Sequence, residues 1–218
     1  MSLVVKIFCF FLGVSSLSLF AEIPTHHDYL EGKVTPEHGR YETMQLVLQL
    51  IEEMGAQTLV ETGTARDGTA GFTDGDGGST IIFAEWARDH GAEFFSVDIS
   101  QKNLKKAQEA VKRTVVGHEN KVHFICSDSV AYLRDFNQPI DFLYLDSYDF
   151  DPDNPGPSQH HHLREIRAAY PFLTKNSIVM IDDCNLVHGG KGKLAIEFLL
   201  QHGWKIVCNR YQVILTRE

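Results

Sequence analysis

Five short apolar runs recur through this 218-residue chain, each followed by a stretch of helix length: "TLVE" (58–61), "FFSVD" (94–98), "VHFICSD" (122–128), "IDFLYLD" (140–146) and "SIVMIDD" (177–183). Unbroken Val, Ile, Leu and Phe, rather than in-out alternation, marks strands covered on both faces. A helix between successive strands requires parallel pairing through right-handed crossovers. The helices are expected at about 79–89, 101–113, 128–135, 158–170 and 192–201, with a further one at 41–54, where Met44, Val47, Leu48, Ile51 and Met54 fall at helical spacing before Gly55. The tail breaks the rhythm. "WKIVC" (204–208) and "YQVILT" (211–216) are separated only by Asn209 and Arg210, too few residues for a crossover, so they must form an antiparallel hairpin. The expected fold is a doubly wound, mostly parallel α/β sheet of seven strands with a C-terminal antiparallel hairpin.

At 43% hydrophobic residues the chain supports one full-sized domain, assigned to residues 41–218, with a polar lead-in at 22–40. Residues 1–21 read as a targeting segment. Lys6 precedes an apolar run from Ile7 to Ala21, shorter than the roughly 20 residues that span a bilayer, with small residues at Ser18 and Ala21 for a signal peptidase. The protein is therefore expected to be exported, or anchored through this segment, which would be its sole membrane contact.

The formal net charge is −9 and becomes −10 without the first 21 residues, which hold one Lys and no acid. That balance argues against a nucleic-acid partner. Cys126, Cys184 and Cys208 lack C-x-x-C spacing, so neither a disulfide framework nor a zinc site is indicated, and buried free thiols at strand ends are expected.

Every one of the five parallel strands ends in acid: Glu61, Asp98, Asp128, Asp146, and the pair Asp182 and Asp183. Ligands of open α/β sheets bind outside the carboxyl ends of the strands, so these acids would line one rim. A single such acid is as well explained as a helix cap; five together point to a site. Glu61 and Gly63 open a glycine-rich loop after the first strand, and Asp98 is placed to accept from the two hydroxyls of a ribose.

The loop, "ETGTARDGTAGFTDGDGGST" (61–80), can be tested against known phosphate and calcium loops. Gly63 to Gly68 has P-loop spacing, but Thr69 stands where the lysine belongs. Neither Gly63 nor Gly75 and Gly77 continues into the dinucleotide fingerprint, and Gly78 and Ser79 spoil a calcium loop counted from Asp74. A glycine loop facing a nucleoside without phosphate remains.

These residues resemble the class I S-adenosylmethionine-dependent methyltransferases. "LVETGTARDGT" followed by "GGST" looks like their cofactor loop, "FSVDIS" like the ribose-binding strand end and "CSDS" like the segment beside the adenine. The terminal hairpin matches that fold's reversed last strand. The resemblance implies a Rossmann-like methyltransferase fold with Glu61, Gly63, Thr64, Ser79, Asp98, Asp128 and Ser129 around S-adenosylmethionine. Within the class, "LDSYD" and "IDDCN" are similar to the metal-assisted O-methyltransferases of small molecules and sugars. By that resemblance Asp146, Asp182 and Asp183 would hold a divalent cation, Mg²⁺ by hardness, and the acceptor would be a small-molecule hydroxyl. Asp146 and, three residues on, Asp149 would serve the chemistry, Asp149 as general base.

His160, His161 and His162 point about 100° apart on a helix, so they cannot share one ion. A solvated first turn is the expectation, with one of them facing the substrate as the alternative. "HGGKGK" (188–193) reads as a mobile rim, and residues 65–78 as a lid over the bound ligand. Two other readings stay open. An NAD-linked oxidoreductase would use the same glycine loop and Asp98. An exported, non-catalytic binding protein of the same fold would account for the targeting segment, because an exterior supplies no S-adenosylmethionine; delivery to a host cell or a cytoplasm-facing anchor would remove that conflict.

Overall fold

The computed structural model describes residues 28–66, 78–117 and 120–217. The targeting segment and residues 67–77 of the expected lid lie outside them. The elements in chain order are α1 (Tyr41–Glu53), β1 (Thr58–Thr62), α2 (Gly78–His90), β2 (Glu93–Asp98), α3 (Gln101–Thr114), β3 (Val122–Cys126), α4 (Ser129–Arg134), β4 (Ile140–Leu145), α5 (Gly156–Ala169), β5 (Leu173–Ile181), α6 (Lys193–Gln201), β6 (Lys205–Asn209) and β7 (Val213–Thr216). They build one seven-stranded sheet in the order β3-β2-β1-β4-β5-β7-β6. The first five strands pair in parallel, and β7 enters antiparallel between β5 and β6.

Side chains that alternate along the central strands feed two separate cores. Leu59, Phe94, Phe142, Tyr144, Met180 and Ile214 pack under α1, α2 and α3, where Phe83 meets Phe94, Phe142 and Tyr144 edge-on at centroid distances of 6.1, 5.0 and 5.5 Å. On the opposite face Val60, Val97, Leu143, Leu145, Val179, Ile181 and Leu215 pack under α4, α5 and α6. A sheet buried on both faces explains the unbroken apolar runs.

The edges of the sheet depart from the expectation. β6 is mostly exposed and Cys126, at the end of edge strand β3, is exposed rather than buried. An outermost strand has a neighbour on one side only, so its end is not enclosed. The lead-in also proves to be part of the wall: Tyr29 and Leu30 are buried in the α1–α2 core, and Lys33 pairs with Glu85 at 2.6 Å.

Topology sets the site. The chain winds outward from β1 through β2 to β3, then returns to lay β4 on the other side of β1. The C-terminal ends of β1 and β4 thus form the switch point where such sheets open a crevice.

Candidate active site

Register brings the strand ends into one row. Thr62 pairs with Leu145 and Leu145 with Ile181, so the next residues, Gly63, Asp146 and Asp182, lie side by side. The Asp146 N–H donates to Thr62 O (2.8 Å) and the Asp182 N–H to Leu145 O (3.0 Å). Gly63 has φ +89°, and a Cβ there would lie 2.3 Å from the Asp146 carbonyl oxygen. Glycine is required because two backbones meet at the switch point.

Glu61 does not line the cleft. It is buried, and its carboxylate accepts from the hydroxyls of Ser79 (2.6 Å), Thr80 (2.8 Å) and Ser96 (2.8 Å). The Thr80 hydroxyl oxygen in turn accepts from the Ala65 N–H (2.9 Å), and the Ser96 hydroxyl lies 3.0 Å from that of Thr64. Glu61 therefore ties together the ends of β1 and β2 and the start of α2. Burial pushes its carboxyl up to about 7, against the three hydroxyl hydrogen bonds.

Two cavities open above this floor, of about 630 and 340 Å³, and they share Gly63, Asp98, Ile99 and Ser147. The smaller one is bounded by Asp128, Ser129, Tyr148 and His161. Asp98 faces both, its Oδ1 accepting from the Ser100 N–H. Asp128 caps α4 by accepting from the Ala131 N–H (2.8 Å), so for this acid the capping role and the cavity position hold together. The three histidines fan out as helix geometry requires. His160 is exposed, His162 is buried, and His161 reaches the small cavity with Nε2 3.0 Å from Ser129 Oγ and 3.4 Å from Glu165.

The larger cavity is where Asp146, Asp182 and Asp183 converge, with one carboxylate oxygen from each within 4.8 Å of the other two. Two cations from distant segments already answer them. Lys191 Nζ lies 2.6 Å from Asp146 Oδ1 and 2.9 Å from Asp183 Oδ2. Arg40 donates to Asp182 from Nε (3.2 Å to each oxygen) and from Nη2 (2.6 Å), with its guanidinium over the Tyr211 ring at 4.7 Å. Tyr211 donates its hydroxyl to Asp183. Burial opposes the charge on Lys191, and Asp146, Asp183 and Asp182 outweigh it and raise its pKa. Asp146 is pushed well above the ordinary carboxylate range by burial and by Asp182, against the pull of Lys191.

Residues 74–184, half of the chain, match the family model described as a methyltransferase domain, from the end of the glycine loop through the acid pair. The chain belongs to the methyltransferase domain family. No protein with a curated description matches it. Among solved structures it resembles an SAH-bound methyltransferase of Podospora anserina (14% identity, 81% of this chain and 78% of that one, TM-score 0.57). It also resembles an O-methyltransferase of Bacillus cereus in complex with SAH (14%, 84% and 81%, 0.56) and the O-methyltransferase NovP (15%, 82% and 79%, 0.54). At these identities the likeness is one of fold, and it agrees with the mostly parallel sheet and terminal hairpin read from the strands.

In this methyltransferase the residues expected around the cofactor divide by role. Gly63, Thr64, Ser79, Asp98, Asp128 and Ser129 border the two cavities, whereas Glu61 supports them from beneath. Asp149 is exposed and accepts from both terminal nitrogens of Arg66 (3.1 and 2.8 Å) at the mouth of the cleft. That ion pair, rather than a free carboxylate, is what the structure offers at the position expected to hold the base.

The three acids meet as expected, but the residues around them do not fit a divalent cation. Such an ion needs carboxylate oxygens at about 2.0–2.6 Å and open coordination positions. The space between Asp146 and Asp183 is taken by an ammonium group, and Asp182 is engaged by two nitrogens of Arg40. Lys191 and Arg40 are the functional residues that sequence reasoning missed. The signal for Lys191 was the glycine on either side of it. Gly190 has φ +58° and a Cβ there would lie 1.8 Å from Asp183 O, while one on Gly192 would lie 2.5 Å from Cys184 Sγ. Those glycines let the segment pack tightly against the acid pair, and Lys191 is 2% exposed rather than on a mobile rim.

Proposed function

We propose that this protein is an S-adenosylmethionine-dependent O-methyltransferase acting on a hydroxyl of a small molecule or sugar. The observation that carries the reading is the pair of cavities joined at Gly63, Asp98, Ile99 and Ser147, at the switch point of a sheet whose family is that of methyltransferases. S-adenosylmethionine supplies an electrophilic methyl group on a sulfonium when bound. Asp98 would accept from its ribose hydroxyls, and Asp128, Ser129 and His161 would border its base. The acceptor would enter the larger cavity, with its hydroxyl toward Asp146.

The chain's own residues would then manage one proton and one developing charge. As the hydroxyl oxygen gains carbon, its proton leaves, and Asp146 is suited to take it because desolvation in the cleft favours its protonated form. The fixed charges of Arg40 and Lys191, held beside Asp182 and Asp183, preset the field at the acceptor without reorganisation. Most of the rate effect falls to positioning, since a displacement at a methyl carbon needs little covalent help.

Calorimetric titration with S-adenosylhomocysteine tests the reading. Binding at one site per chain is expected, reduced at least tenfold by Asp98→Ala; no heat with either protein would remove the cofactor and the reading with it. The role of residues 1–21 as an export signal or anchor belongs to the same proposal and is checked by fractionating cells that make the full chain and the chain without them. Among the described residues, no helix is long and apolar enough to cross a membrane.

A further inference from the structure

We propose that Lys191 is the resident cation of the acceptor site, standing where a divalent ion would stand, so that the site works without metal. The inference rests on the O-methyltransferase reading for its chemistry, but its geometry is independent of it. The ammonium bridges Asp146 Oδ1 and Asp183 Oδ2 at 2.6 and 2.9 Å, the two positions a metal would join. Placing an ion there would force a second cation into contact with the first at low dielectric, where like charges repel strongly.

The backbone holds the lysine in this place. The Lys191 N–H donates to Asp183 O (3.1 Å), which closes the loop from Asp183 to Lys191 onto the acid pair. The buried Gln159 side chain of α5 donates to the carbonyls of His188 (3.1 Å) and Gly190 (3.0 Å) from the other side. Gly190 and Gly192 have no room for a Cβ against Asp183 and Cys184. A side chain tethered at so many points is not a surface lysine that has swung into a gap.

Charge supports the same assignment. Three carboxylates with no counterion would attract a divalent ion strongly; here Arg40 and Lys191 set two formal positive charges against the three carboxylates. An ammonium has three N–H donors, and two of them are directed to Asp146 and Asp183. Among the described residues the third has no partner, and Lys191 borders the larger cavity. It is available to an acceptor oxygen, and would stabilise the negative charge that grows there as the proton leaves.

Mn²⁺ titration of the full chain, read by electron paramagnetic resonance, tests this directly. The wild type is expected to show no saturable binding up to millimolar Mn²⁺, and its affinity for S-adenosylhomocysteine should change less than twofold between excess Mg²⁺ and EDTA. Lys191→Ala should gain Mn²⁺ affinity at least tenfold, and lose it again when Asp182→Asn is added. Saturable micromolar binding to the wild type, abolished by Asp182→Asn, would overturn the proposal, and that result does not need the lysine variant to fold. The two readings fail separately: absence of S-adenosylhomocysteine binding sinks the methyltransferase assignment, whereas Mn²⁺ binding sinks only the role of Lys191.

Discussion

Lys191 Nζ lies 2.6 Å from Asp146 Oδ1 across a sequence separation of 45 residues, which makes one ion pair a link between the end of β4 and the loop that precedes α6. Replacing the ammonium by a neutral chain of similar length leaves Asp146 and Asp183 facing each other in a desolvated cleft. Lys191→Met should therefore destabilise the protein by about 3 kcal/mol, a fall in Tm on the order of 10 °C by scanning fluorimetry. Adding Asp146→Asn should recover part of the loss; a single-variant Tm within 2 °C of wild type (roughly 1 kcal/mol or less) would show that the pair carries little.

Gly63 and Gly55 both have positive φ, +89° and +66°, but only Gly63 has backbone where a Cβ would go. Gly55→Ala should cost only about 1 kcal/mol, from the left-handed conformation alone. Gly63→Ala must also part β1 from Asp146, so it should cost about 3 kcal/mol or more and weaken S-adenosylhomocysteine binding at least tenfold. Equal Tm values for the two variants would contradict the close approach.

The raised carboxyl of Glu61 makes stability depend on pH. Its folded value of about 7 against an ordinary 4.5 means that between those limits the folded state holds a proton that the unfolded state has released. Stability from this group is thus fully present below about pH 4.5 and is lost as pH rises through 7, by on the order of 3 kcal/mol. Urea melts of Glu61→Gln should lack this fall between pH 5 and 8, while the wild type shows it.

His161 borders the small cavity, whereas the exposed His160 does not reach it. His161→Ala should weaken S-adenosylhomocysteine binding about three- to tenfold, on the order of 1 kcal/mol for a lost contact, and His160→Ala should leave it unchanged. Calorimetry that finds the two variants alike would detach α5 from the cofactor.

Arg40 reaches Asp182 with Nε and Nη2 from a segment placed outside the expected domain. Arg40→Met should leave the fully buried Asp182 carboxylate without its partner, with a loss of about 3–5 kcal/mol, and Asp182→Asn in the same chain should restore part of it. Chemical melts of the single and double variants read this directly.

Parallel pairing of the first five strands, and the row of acids at one rim, follow from local pattern, whereas the reversal that lays β4 beside β1 does not. Continuous apolar runs need two covered faces, and a helix between strands admits one parallel crossover, so neighbours in the chain determine both. The hairpin was equally forced by the short connection between its strands, yet which of them docks on β5 was not. That choice fell to β7, through the pairing of Ile181 with Val213, a contact between strands far apart in the chain.

The charge state of the site belongs to tertiary structure alone. The sequence determined that Asp146, Asp182 and Asp183 would sit at adjacent strand ends, because strand periodicity fixes where each run stops. It did not determine what neutralises them. Arg40 comes from before α1 and Lys191 from a glycine-flanked turn after β5, and neither lies within a local pattern that includes the acids. Electrostatic partners are chosen by distance in space. Only the folded chain shows that Arg40 and Lys191 stand beside the acids.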